Sequence, residues 1–467
     1  MNEQNEHIAE LIKDFTDKTL KFYDNIENMP VVPKVSGETV DRVSAMTVPE
    51  KGRDLDSVYN EFLNDIFTSV SLSQHPRSFS CVPSTMSLLS WMGDVMTNAV
   101  NPHASCKLNS PTVDKVEKNL IKWMCSLAGY PNGCGGLFVS GGSLANLTAL
   151  TAARDAKLLS FEDRRKAVVY VSAQTHSSVA KGLHIIGFAN DQIHIISTDS
   201  DFRMNVTELE AEIEKNISEG KKPFAVVASA GTTNTGSVDP LRDIAGICKK
   251  YDMWMHIDGA YGASALLSET HRRELDGVEL SDSLSWDAHK WMQQTYGCSV
   301  VLVRNRNQLV NSFAAHPEYL KDAEASPEAV EFWDLGPELT RPARGLKLWL
   351  TLQVLGSDEM GRVVDHGCDL AAFAENYIKG KEGFEIISHA KLGIVNFRYA
   401  PASVNSEEMR DTINHEAAAE ITRSGFAQVF TTELCGHKVI RLCTIHPDTT
   451  EKDITETIDR LELLCKR

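Results

Sequence analysis

The sequence predicts an α/β protein: a mostly parallel central sheet covered by helices, with a helical segment before it and a small α+β unit after it. Three observations predict it. Between about residues 135 and 305, short apolar runs alternate with helical stretches, the pattern of crossover units around a buried sheet. From about residue 385, alternating runs and amphipathic stretches build a second, smaller unit. The bulk composition, 42% hydrophobic and 24% charged over 467 residues, is that of a globular chain able to bury a large core.

In chain order, the first eighty residues read as helical. Ile8, Leu11, Ile12 and Phe15 share one helix face, as do Leu55, Val58, Tyr59, Phe62, Leu63, Ile66 and Phe67. Pro30, Pro33, Gly37, Pro49 and Gly52 punctuate a linker between them. Two such helices cannot bury their stripes on each other alone, so they must pack on the main body or on a second subunit. The strands expected next are 137–139, 167–171, 192–196, 224–228, 254–257, 283–286 and 299–303, with room for antiparallel strands at one edge. Residues 321–345 are turn-rich and end in Arg341-Pro342-Ala343-Arg344. A long helical segment follows, carrying Leu346, Leu348, Leu350, Leu352 and Leu355. The tail reads as strands at 393–399 and 438–444 and helices at 407–424 and 450–465. Thr450 and Asp453 are placed as a capping box. The expected domains are 1–80, 81–355 and 356–467.

Charge and cysteine usage narrow the functional classes. Lys plus Arg is 47 and Asp plus Glu is 64, a net charge of −17. With no basic run interleaved with aromatics, the chain is not expected to bind nucleic acid. Residues 1–15 are polar and acidic, unlike a secretory signal, and no apolar run is long enough to span a membrane. Ten scattered cysteines without a C-x-x-C pair suit reduced thiols, so the expected location is cytoplasmic.

Three motif-like stretches fail on inspection. Gly231 to Gly236 spaces its glycines like a phosphate-binding loop, but Ser237 and Val238 stand where Lys and Ser or Thr are needed. His415-Glu416 has Ala419 where a second histidine belongs. Cys435, His437, Cys443 and His446 flank an alternating strand, so they point to both faces and no metal is expected.

Four clusters at strand ends carry the chemistry. Ser140-Gly141-Gly142-Ser143 leads into a helix whose free amides suit a phosphate. His176 follows a strand and precedes a helix, placed to stack on a flat ring. Asp258 closes an apolar strand, where a carboxylate needs a cation such as a protonated ring nitrogen. Lys290 lies between an apolar strand and Trp291-Met292, where partial desolvation favours a Schiff base. Together, in this order, they describe pyridoxal 5′-phosphate chemistry.

The segments FVSGGSLANLTAL, SAQTHSSVAKG, GTTNTGSVDPL, HIDGAYGAS, SWDAHKW, HPEYLKD and TRPARGLKLWL carry a resemblance. From about His75 onward the chain resembles the pyridoxal-phosphate-dependent group II amino-acid decarboxylases, in their aromatic branch, most like bacterial tryptophan decarboxylases. The resemblance implies the fold-type-I transferase-like fold and decarboxylation of an aromatic L-amino acid, tryptophan first. It implies that Lys290 binds the cofactor, Asp258 pairs with its ring nitrogen, and His176 and Ala260 lie on its two faces. Gly142 and Ser143 would hold the phosphate, with His289 beside them and Thr233 near the ring. Tyr319 would be the tyrosine that helps protonate the product. Phe79, Cys81, His103, Asn109 and Leu339 would border the substrate. The resemblance further implies a homodimer with sites at the interface. One departure stands out: Asp287-Ala288 precedes His289-Lys290 where the family often has Asn-Pro. The alternatives on the same fold are an aromatic aldehyde synthase or a decarboxylase of non-aromatic amino acids. A cofactor-free binding protein is the reading from another class.

Overall fold

The structure is a computed structural model that describes residues 3–315 and 330–467. The chain opens with helix α1 (Glu3–Asp24), followed by α2 (Gly37–Ser44) and α3 (Leu55–Glu61). The expected linker thus contains a helix, opened by Ser36, whose Oγ accepts from the Thr39 amide at 3.1 Å. Phe15 and Phe22 of α1 meet Phe67 edge-on, at centroid distances of 5.6 and 5.3 Å. This cluster covers only part of the two stripes: Ile12 stays 60% exposed, and Val58, Phe62 and Ile66 stay exposed too.

Helices α4 (Leu88–Val100) and α5 (Pro111–Leu127) lead into the main sheet. Its elements run β1 (Gly135–Val139), α6 (Gly142–Lys157), α7 (Phe161–Lys166), β2 (Ala167–Ser172), α8 (Ser177–Ile185) and β3 (Ile193–Ile196). They continue with α9 (Val206–Ser218), β4 (Lys222–Ser229), α10 (Leu241–Lys250), β5 (Trp254–Asp258), β6 (Ser283–Asp287) and β7 (Ser299–Val303). All seven expected strands form. Their spatial order is β1-β7-β6-β5-β4-β2-β3. Only β7 runs against its neighbours, and it lies second from the edge rather than at it. Strands β1, β2, β5, β6 and β7 are buried along their whole length, as a sheet covered on both faces requires. Trp286, Tyr170, Phe138 and Phe224 fill the core.

After α11 (Asn307–Phe313), the long helix α12 (Leu346–Lys379) crosses to the second unit. It breaks at Gly356, whose φ of 78° favours a residue without a Cβ. The smaller unit is a four-stranded antiparallel sheet of β8 (Phe384–Lys391), β9 (Ile394–Tyr399), β10 (Phe430–Leu434) and β11 (His437–Cys443), in the order β10-β11-β9-β8. Helices α13 (Glu407–Arg423) and α14 (Glu451–Cys465), with the end of α12, bury Phe397, Ile421, Ile440, Leu442 and Ile458 against it. The Thr450–Asp453 capping box opens α14. Strands β8 and β10 were not expected from the sequence. Both are edges, and β8 carries two register shifts that interrupt its alternation. All ten cysteines are free thiols. No helix among the described residues is long and apolar enough to cross a membrane.

Candidate active site

Parallel strands place their carboxyl ends along one rim of the sheet, and the loops that follow line a common crevice. Here the ends of β1, β2, β4, β5 and β6 enclose one cavity of about 310 Å³. The β1–α6 turn contributes Gly142 and Ser143, and the β2–α8 turn contributes His176. Thr233 follows β4, Asp258 and Ala260 close β5, and His289 and Lys290 follow β6. All eight residues expected at a cofactor line this cavity.

Each is held for a local reason. A Cβ on Gly142 would come within 2.9 Å of Asp287 Oδ2 and 3.0 Å of the Ala260 Cβ, so only glycine allows this turn to approach β5 and β6. The first amides of α6 have no intrahelical carbonyl and stay available to an anion. His176 caps α8, its Nδ1 accepting from the Ser178 amide at 3.2 Å. Asp258 is 8% exposed. Its Oδ2 accepts from Asn146 Nδ2 at 2.9 Å, and its Oδ1 from Ser285 Oγ and the Ala260 amide, each at 3.2 Å. No cation lies within salt-bridge distance of Asp258 among the described residues. A buried carboxylate with donors but no counter-cation is a place for a cationic ligand atom.

Lys290 Nζ lies 3.1 Å from Asp287 Oδ2, and His289 Nε2 lies 3.7 Å from the same oxygen. Asp287 is buried and its Oδ1 has no hydrogen-bond partner among the described residues. The Asp287 carboxylate thus faces the lysine and the histidine. Burial lowers the His289 pKa, against the pull of Asp287. Ser299 Oγ holds its Nδ1 at 3.1 Å.

The loop after β4 is gripped by the smaller sheet. Asn234 Nδ2 donates to Gln174 at 3.0 Å, while Thr432 donates to Asn234 Oδ1 and Asn396 to its carbonyl, both at 3.0 Å. Arg441 Nε donates to the Thr233 carbonyl at 2.9 Å, and its Nη1 donates to the Cys81 carbonyl. Gly236 packs so tightly that a Cβ would lie 2.1 Å from the Lys391 carbonyl oxygen. The glycine-spaced stretch that failed as a phosphate loop is therefore a wall of the site. Asn234, Asn396 and Arg441 escaped the sequence reading. The one available signal was Arg441, a cation inside the apolar alternation of 438–444.

The expected substrate residues do not line the cavity of this chain. Phe79 is fully buried in the core of the smaller unit. Cys81 is exposed, His103 and Asn109 pair with each other at 3.3 Å, and Leu339 is 47% exposed. Tyr319 lies outside the described residues.

Comparison with known proteins agrees with this geometry. Residues 38–400 match the family model described as "Pyridoxal-dependent decarboxylase conserved domain". An aromatic-L-amino-acid decarboxylase of Bacillus atrophaeus is 37% identical over 462 residues, 99% of this chain and 96% of that one. Tryptophan decarboxylase 2 of Oryza sativa subsp. japonica is 30% identical, over 96% of this chain and 92% of the other. A crystal structure of Oryza sativa TDC with PLP and tryptamine superposes with a TM-score of 0.93 at 27% identity, covering 100% of this chain and 99% of the other.

Proposed function

The chain belongs to the pyridoxal-dependent decarboxylase family, and on that footing we propose that it decarboxylates an aromatic L-amino acid, tryptophan foremost. One observation carries the reading: Asp258, buried without a cation among the described residues, faces the same cavity as the Lys290 amine.

The residues fit pyridoxal 5′-phosphate. The start of α6, at Gly142 and Ser143, offers amides and a positive helix end to its phosphate. Asp258 is the counter-charge for its ring nitrogen, and the turns carrying His176 and Ala260 supply the walls on its two faces. Thr233 closes the cavity beside them. Bound cofactor supplies the sink for the electron pair left when carbon dioxide departs. The chain supplies the rest. Lys290 is the amine that carries the cofactor and yields to the substrate amine. Asp258, with its three donors, stays aimed at the ring nitrogen without reorganisation. The walls from β4 and the smaller sheet narrow the crevice and keep water from the reacting carbon.

Similarity to tryptophan decarboxylase 2 of Oryza sativa and to the Oryza sativa structure that holds tryptamine supports tryptophan as the first substrate. An acidic side chain would need a second cation. Apart from Lys290, no Lys or Arg lines the cavity among the described residues. The working unit in this reading is a homodimer. The uncovered stripe of α1 and α3 supports it, as do Met96 and Val100 on α4, 59% and 75% exposed.

The test is a panel of amino acids offered to the purified holoenzyme, with the amines identified by mass spectrometry. Tryptamine is the expected main product. Faster turnover of glutamate than of every aromatic amino acid would overturn the assignment.

A further inference from the structure

Asn146 lies one turn into α6, 1% exposed, and touches three polar groups that the proposed chemistry does not itself connect. Its Nδ2 donates to Asp258 Oδ2 at 2.9 Å and to Ser178 Oγ at 3.1 Å. Its Oδ1 faces His256 Nε2 at 2.9 Å. The direction of these bonds is set where Asn146 meets Asp258, and the far end of the buried chain accommodates it. At the far end, Trp254 Nε1 can only donate, and it donates to Ser283 Oγ at 2.9 Å. The Ser283 proton is then free for His256 Nδ1, 2.8 Å away. Burial depresses the His256 pKa to about 4, so near neutrality the ring carries one proton. With Nδ1 accepting, that proton sits on Nε2 and goes to Asn146 Oδ1. At the near end, a flipped amide would set its oxygen against the Asp258 carboxylate. Asp258 therefore demands this orientation, and the far end, where the Ser283 hydroxyl can donate to His256 Nδ1, accommodates it.

The consequences reach both cofactor-facing side chains. Asp258 receives only donors: Asn146 on one oxygen, Ser285 and the Ala260 amide on the other. Ser178 Oγ accepts from Asn146 and so turns its own proton to His176 Nδ1, at 2.8 Å. The Ser178 amide donates to that same nitrogen. His176 is left with its proton on Nε2.

We propose that Asn146 is a positioning residue that fixes the proton arrangement of the whole site, holding Asp258 as an acceptor-only carboxylate toward the ring nitrogen and His176 as its Nε2–H tautomer. The inference rests on the reading of the cavity as a pyridoxal 5′-phosphate site. Asn146 lines the same cavity, and the role proposed for it is exercised through Asp258 and, by way of Ser178, through His176.

The experiment measures binding rather than turnover. Apoenzyme is titrated, by quenching of its tryptophan fluorescence, with pyridoxal 5′-phosphate and with its carba analogue, in which C–H replaces the ring nitrogen. The parent should prefer the nitrogen ring. Asn146→Ala should cut that preference on the order of tenfold or more, as loss of a hydrogen bond to a charged group does. The affinity for the carba analogue should change less. Asn146→Leu keeps much of the shape and removes the donor without adding a charge, so it should lose the preference too; it serves if the alanine variant does not fold. Equal weakening of both ligands, with the ratio intact, would show a merely structural asparagine and overturn the proposal. A parent enzyme without preference for the nitrogen ring would instead overturn the pairing of Asp258 with that ring, and the inference with it.

Discussion

Replacing Arg341 by methionine removes one half of an ion pair sealed from water. Arg341 is 1% exposed and Glu117 0%. The guanidinium donates through Nη1 to Glu117 Oε2 and to the Ala104 carbonyl, both at 2.6 Å, and through Nη2 to the Phe138 carbonyl at 3.2 Å. The other Glu117 oxygen accepts from the Gly345 amide at 2.8 Å, just before α12 begins. Methionine keeps much of the packing over the Phe332 ring, which Arg341 covers at 4.8 Å. The cost is then dominated by a carboxylate left buried and unpaired, about 3–5 kcal/mol. Unfolding entropy near ~2.1 cal/mol/K per residue gives roughly 1 kcal/mol/K over 467 residues. Loss of about 4 kcal/mol therefore lowers Tm by about 4 °C if the chain melts as a unit. Differential scanning calorimetry of the holoenzyme reads this directly. The double variant Arg341→Met with Glu117→Leu removes both charges and should recover most of the loss. A single variant that melts within about 1 °C of the parent, or a double variant well below the single, would refute the reasoning.

Three further outcomes are expected. Lys290→Ala should bind the cofactor only non-covalently and give no detectable amine; near-parental turnover would contradict the role of the lysine. Asp258→Ala should lower kcat/KM by more than tenfold, about 1.4 kcal/mol or more of transition-state stabilisation, measured at saturating cofactor. The third concerns pH. His256 stays neutral in the fold down to about 4, whereas an unfolded histidine takes up its proton near 6.5. Between these values only the unfolded chain gains a proton, so the contribution from His256 is intact above about pH 6.5 and falls as the pH drops toward 4. The loss is of order 3 kcal/mol. Urea midpoints from pH 7.5 to 4 should show a shallower acid loss in His256→Gln than in the parent, and identical slopes would exclude this source.

The body of the fold was legible because most of its strands are buried on both faces. Runs such as 224–228 and 300–303 are continuously apolar, and a strand needs no partner information to show that. The edges were less legible. Residues 384–391 mix exposed and half-buried positions and shift register twice, so no regular alternation survives in the sequence. The reversal of β7 was also hidden, since direction is decided by what the strand pairs with rather than by its composition. At the site, Lys290, Asp258 and His176 announced themselves as polar groups closing apolar strands. Their supports did not. Asn146 sits in a helix whose other buried residues are mostly small and apolar, and only the packing of α6 on β5 reveals what it reaches. The substrate wall was the weakest reading, because neighbours in the chain such as Phe79 and Cys81 end in different places: one in a core, the other at the surface.

The grip of the smaller sheet on the loop after β4 also fixes when the site can exist. Synthesis delivers Gly142 early and Arg441 some 299 residues later (441 − 142). Until β9, β10 and β11 have emerged and paired, the Thr233 and Asn234 carbonyls lack the donors that hold that wall in place. Within the large sheet β1 must wait for β7, and the wall waits longer still, for partners in β9 and β11. A nascent chain halted before β11 would carry the lysine, the aspartate and the helix end in their places, beside an open crevice. That wall of the crevice is thereby complete only once β9 and β11 have folded against it.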